Sequence, residues 1–143
     1  MLRYEYVCFI HDKKASFHYL EEDVSVWIEN IWGNTLGSTG YIYEILRLLE
    51  KDHIGVLVPP EPLGEYFNDW YTNGWKKNYE NTIFLASELG INADISKDRT
   101  PMAIGTVFWA KSDALKKLFQ KKWSYIDFPE EPLPLDGAIN HAI

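Results

Sequence analysis

Apolar positions along the chain change their period several times, and each change marks a predicted element. Tyr4–Ile10 is apolar and aromatic almost without a break, the pattern of a strand covered on both faces. From Tyr19 the spacing turns helical: Leu20, Val24, Trp27, Ile28 and Ile31 fall on one face, with Glu21, Glu22, Asp23 and Glu29 away from it. Gly33 and Gly37 punctuate its end. Ser38 or Thr39 can cap a second helix, in which Ile42, Ile45, Leu46 and Leu49 recur at i, i+3, i+4 and i+7. Ile54–Val58 reads as a short strand stopped by Pro59 and Pro60.

The second half is less regular. Glu61–Lys77 carries Tyr66, Phe67, Trp70, Tyr71 and Trp75 among Gly and Asn, and reads as a loop with short helical turns. Asn81–Leu89 predicts a helix closed by Gly90, and Asn92–Thr100 is polar and turn-like. Ala103–Ala110 is the third predicted strand. Ser112 then caps Asp113–Gln120, with Leu115, Leu118 and Phe119 facing inward, and Asp136-Gly137 heads a last helix. Strands alternating with helices predict an α/β sandwich with a small mixed sheet flanked by helices, and residues 1–143 as a single domain.

Composition narrows the classes. The 46% hydrophobic and 24% charged content is that of a folded globular chain. Fourteen basic against 21 acidic side chains give a net charge of -7, which argues against a nucleic-acid backbone as partner. Lone Cys8, inside the first predicted strand, reads as a buried structural thiol and fits a reducing, cytoplasmic setting. No apolar run approaches the roughly 18 residues of a transmembrane helix, and no signal peptide is visible. There is no Gly-rich phosphate loop, no Cys/His zinc spacing and no Gly-x-Ser-x-Gly elbow, against a kinase, a zinc enzyme and an α/β-hydrolase.

Two polar clusters follow apolar strands. His11-Asp12-Lys13-Lys14 leaves the first strand at the edge where open α/β sheets bind ligands. Lys13 and Lys14 can neutralise a diphosphate as point charges, and Asp12 offers oxygen to a hard divalent cation; a solvated turn with surface lysines uses the same residues. Asp136 is either an ordinary helix cap or a general base. A helix start keeps a carboxylate ionised but lowers its basicity, which a desolvating aromatic pocket would restore. Glu130 and Glu131, set among prolines, suit acceptor hydroxyls. His141 would stand about 140° from Asp136 on a continuous helix, so it could reach a metal or phosphate only from another direction; surface or capping duty is its other reading.

Gly105-Thr106 interrupts a strand and suggests close approach by a ligand or another segment. Phe108 and Trp109 point to opposite faces, so one of them can line a site. Trp70, Tyr71 and Trp75 suit a sugar-stacking platform, whereas Trp27 reads as core. The ends of the strands Tyr4–Ile10 and Ala103–Ala110 are expected side by side, bringing Asp12 and Asp136 to one cleft.

The segments YVCFIHDKK, LGSTGYIYEIL, IGVLVPPEP, IGTVFWAKSDALKKLF and DFPEEPLPLDGAINHAI stand in this order over nearly the whole chain. Together they resemble the rhamnan synthesis protein F family, bacterial enzymes of rhamnose-containing cell-wall and O-antigen polysaccharide assembly. The resemblance implies part of a GT-A-like, Rossmann-like glycosyltransferase domain using a nucleotide sugar, dTDP-rhamnose, and a glycan or lipid-linked acceptor at the inner face of the membrane. It implies Asp136 as catalytic base and His11, Lys13 and Lys14 on the donor diphosphate. Gly105, Thr106, Trp109 and Glu131 would line the acceptor, and Asp12 with His141 would hold Mg²⁺ or Mn²⁺. The family's N-terminal half carries the first Rossmann-like strands and much of the nucleotide pocket, so this chain is expected to be the acceptor-side part of a larger enzyme, inactive alone. Two rivals remain: a non-catalytic carbohydrate-binding or scaffolding remnant, and a metal-dependent phosphohydrolase using His11, Asp12, Asp136 and His141.

Overall fold

Strand β3 (Phe108–Lys111) sits at the centre of a three-stranded sheet, with β1 (Tyr6–Phe9) on one side and β2 (Val56–Leu57) on the other. This computed structural model describes residues 3–11, 21–60, 74–99, 106–132 and 137–143, and only the backbone of 21–24 and 141. The α/β reading holds as a mixture of helices and a small sheet. Among the described residues, however, that sheet is antiparallel rather than mixed: both outer strands pair β3 antiparallel. Side-chain alternation reports which face a residue takes and nothing about strand direction, which explains the miss. One consequence overturns an expectation. β1 and β3 are neighbours, but Phe9 at the end of β1 pairs with Phe108 at the start of β3, so their C-terminal ends lie at opposite ends of the sheet.

The chain groups into two compact units, one of Met1–Asn68 with Met102–Ala114, the other of Asp69–Pro101 with Leu115–Ile143. In the first, the pairs Val7↔Ala110 and Val56↔Ala110 put three small apolar side chains in a row on one face, and Ala110 is fully buried. Cys8, Trp109 and Leu57 form the adjacent row on the other face. All four residues of β1 are half-buried, while Tyr4 and Ile10 beyond its ends are exposed, so the strand is shorter than its apolar run.

Helix α1 (Glu21–Leu36) runs through Gly33 and buries Ile31 and, one turn on, Thr35. Trp109 Nε1 donates to the Thr35 carbonyl at 3.0 Å. That carbonyl is among the last four of the helix, which have no partner within it, so the sheet completes the helix end. Helix α2 (Thr39–Leu49) starts where predicted. Ser38 is its cap, accepting from the Tyr41 amide at 3.1 Å, and the apolar stripe buries Ile45 and Leu49, with Ile42 and Leu46 half-buried. α2 packs against α1, β2 and β3.

In the second unit, helix α3 (Tyr79–Glu88) buries Leu85 and Ala86 and ends as its glycine predicts. Gly90, at φ +61°, lets its own amide reach Ser87 and the Ile91 amide reach the Ala86 carbonyl, a paired closure that an L side chain disfavours. Lys117 Nζ donates to the Gly90 carbonyl and Lys121 Nζ lies 3.0 Å from the Glu88 carboxylate, setting cations at the negative end of α3. The predicted Asp113–Gln120 helix is a 3-10 turn, Ser112–Leu115, followed by α4 (Lys116–Gln120). Ser112 does not cap it: its hydroxyl donates to the Tyr4 carbonyl and its amide to Glu5 at 2.8 Å. Leu115 and Leu118 are half-buried as expected, but Phe119 is exposed.

Two outcomes follow. Trp109→Phe leaves the Thr35 carbonyl without its donor and should cost about 1–3 kcal/mol, read as a lower urea midpoint at unchanged m-value. Burial pushes the Cys8 thiol up from its ordinary pKa, leaving less thiolate at pH 8. Iodoacetamide should therefore modify native Cys8 several-fold more slowly than the urea-unfolded chain; equal rates would show that β1 is not paired.

Candidate functional site

The end of β1 and the start of β3 form one candidate locus. The last ladder pair is Phe9↔Phe108, whose rings stack at 4.7 Å between centroids and 23° between planes. Two positions beyond it on each strand stand His11 and Thr106, which the antiparallel path brings to the same end of the sheet. Thr106 has φ +58°. A β-branched residue there is strained, and such strain gathers at functional positions. The glycine signal read at Gly105-Thr106 thus coincides with an unusual backbone. Gly105, Asp12, Lys13 and Lys14 lie outside the described residues. Trp109 is placed on the Cys8–Leu57 face, and its indole N–H is taken by Thr35.

The second locus lies in the other unit, around Gly137. The sequence predicts a last helix headed by Asp136-Gly137; the structure instead turns at Gly137, extends at Ala138 and makes a 3-10 turn, Ile139–His141, with Ala138 at its N-cap position. No helix therefore runs unbroken from Gly137 to His141, because a glycine at φ +79° leaves the helical region. Asp136 itself lies outside the described residues, as does the His141 side chain. The shared cleft for Asp12 and Asp136 lies outside them too. Glu130 and Glu131 are exposed, and the Glu131–Pro132 peptide is cis.

Gly137 is held from both sides by α3. Asn78 Oδ1 accepts from its amide at 3.0 Å, and Asn81 Nδ2 donates to its carbonyl at 2.7 Å. α3 also packs on the Ile139–His141 turn, and Ala138 is buried. Neither asparagine was singled out from the sequence. The available signal was an Asn-x-x-Asn pair at a helix start, which reads first as local capping; nothing in it points to a partner more than fifty residues away.

Trp75, read as part of a sugar platform, is fastened inside its own unit. Its Nε1 donates to the Ser96 carbonyl at 2.9 Å, and its ring meets Tyr79 edge-on at 5.4 Å. Tyr79 in turn donates to the Ile95 carbonyl at 3.0 Å. Trp70 and Tyr71 lie outside the described residues. No helix among the described residues is long and apolar enough to cross a membrane.

None of the curated proteins and none of the solved structures compared with the chain matches it. The family model described as rhamnan synthesis protein F matches residues 1–143. That match spans both loci, the strand running into His11 and the turn at Gly137, and every segment on which the sequence resemblance rested. The chain belongs to the rhamnan synthesis protein F family, and with it to rhamnan synthesis.

Proposed function

We propose that this chain supplies the acceptor side and catalytic base of a GT-A-like glycosyltransferase that moves rhamnose from dTDP-rhamnose to a glycan or lipid-linked acceptor at the inner face of the membrane. The observation that carries the reading is family membership over residues 1–143. The reaction is a direct displacement. The acceptor oxygen forms a bond to the anomeric carbon while the bond from that carbon to the diphosphate oxygen breaks, its electron pair leaving with the diphosphate. Asp136 takes the acceptor proton. His11, Lys13 and Lys14 meet the charge growing on the leaving group, where preorganised donors contribute most. Thr106, Gly105, Trp109 and Glu131 orient the acceptor.

Mg²⁺ or Mn²⁺ could serve the same diphosphate, but the donor set fits poorly. A hard divalent cation takes an oxygen-rich shell, and Asp12 is a single carboxylate flanked by His11 and by Lys13 and Lys14. The lysines already supply positive charge, so no step is routed through a metal. Chelation with EDTA should leave transfer by the full-length protein within about twofold of its starting rate. Loss restored by Mn²⁺ would return Asp12 and His141 to the role of ligands.

Asp136→Asn separates chemistry from structure in the full-length protein. The variant keeps shape and hydrogen-bonding oxygen but accepts no proton, so transfer should fall about 10²–10⁴-fold. Because Ala138, not Asp136, occupies the N-cap position of the following turn and Asn caps about as well as Asp, the melting temperature should barely move. Near-normal transfer would remove Asp136 as the base and make Glu131 the next carboxylate to test.

A further inference from the structure

Helix α3 begins at Tyr79 without using its own best capping group. Asn78 occupies the N-cap position, where asparagine is among the favoured residues and a side-chain cap is worth about 1 kcal/mol, yet its side chain makes no cap bond. The side-chain oxygen is turned to the Gly137 amide instead, and Asn81, on the same face of the first turn, binds the Gly137 carbonyl. The two contacts have opposite polarity, so each amide's orientation is fixed by its backbone partner. Gly137 fits this grip for two reasons. Its φ of +79° is open to glycine, and a Cβ there would come within 3.0 Å of Lys77 Cβ.

The Gly137 nitrogen shares a planar peptide with the carbonyl of Asp136. A constraint on that N–H is therefore a constraint on the peptide bond that joins Asp136 to Gly137. We infer that Asn78 and Asn81 are positioning residues for Asp136, acting through the backbone of Gly137. The inference rests on the reading of Asp136 as the base. Misplacement of a reacting group by about 1 Å can cost on the order of 10²-fold in rate, so two hydrogen bonds remote from the substrate can carry a large kinetic effect.

The two asparagines allow a test by polarity, run on the full-length protein with rate, donor KM and melting temperature as readouts. Asn78→Ala and Asn81→Ala should each lower kcat by on the order of 10²-fold with donor KM little changed. Aspartate then discriminates. Asn78→Asp keeps an acceptor for the Gly137 amide and should restore kcat, whereas Asn81→Asp sets a carboxylate against the Gly137 carbonyl and should not. Both aspartates lie at the N-terminal end of α3, one at its N-cap and one in its first turn, where negative charge is favourable, so the helix itself does not distinguish them. Aspartate rescuing both sites or neither, or kcat falling only in step with melting temperature, overturns the proposal.

The decisive step repeats Asn78→Ala in an Asp136→Asn background. If Asn78 acts through Asp136, its further effect on the residual rate should vanish. An undiminished effect beside an inactive Asp136→Asn single variant would leave the base in place and sink the positioning role. A fully active Asp136→Asn would instead remove the base, and this proposal with it.

Discussion

The first unit depends on β3 finding two partners at once. Ala110 lies between Val7 and Val56 and is fully buried, so the central position of the sheet has room for little more than a methyl group. The residues around it extend the same constraint outward. Trp109 turns to the opposite face and closes the end of α1 through Thr35. Lys111 gives its amide to the Gly55 carbonyl at 2.9 Å and its ammonium to the Lys51 carbonyl at 2.9 Å. Ser112 ties the chain to Tyr4 and Glu5. Four consecutive residues thus fix the chain leading into β1, the end of α1, and the segment joining α2 to β2.

Where structure follows from neighbours in the chain, the sequence announced it. The stripe Ile42, Ile45, Leu46 and Leu49, the Ser38 cap and the Gly90 closure all rest on contacts within a few residues. Where it follows from distant partners, the same rules misled. Ser112 has the chemistry of a cap but bonds to Tyr4, and Asn78 has it too but bonds to Gly137. Strand direction was illegible for a different reason, since apolar periodicity is the same read forwards or backwards. The last helix failed at Gly137, whose positive φ is held by Asn78 and Asn81 and by close contact with Lys77, none of which a local window contains.

The aromatic residues show how composition can be read two ways. Six tryptophans in a chain of this size suggest sugar-stacking surfaces. Three of them spend their indole N–H on a backbone carbonyl: Trp75 on Ser96, Trp109 on Thr35 and Trp123 on Leu118. Each fastens a loop or helix end whose carbonyl would otherwise need water. Trp109 thereby holds the end of α1 from the central strand of the sheet. Substitutions at Trp109 will therefore move stability first, through the Thr35 carbonyl.

The pairing of β1 with β3 also shapes how the protein is made. Tyr6 has its partner at Lys111, so at about 5–20 residues per second β1 leaves the ribosome on the order of ten seconds before the strand that will cover it. During that interval an apolar, aromatic segment has no sheet to join, and β2, emerging next, has none either. Contacts so far apart in sequence form slowly, and unpaired strand edges invite pairing between chains. The sheet that carries His11 and Thr106 is consequently the part of the first unit most exposed to aggregation during synthesis, and the part whose yield should respond most to slower translation or to a chaperone that shields nascent strands.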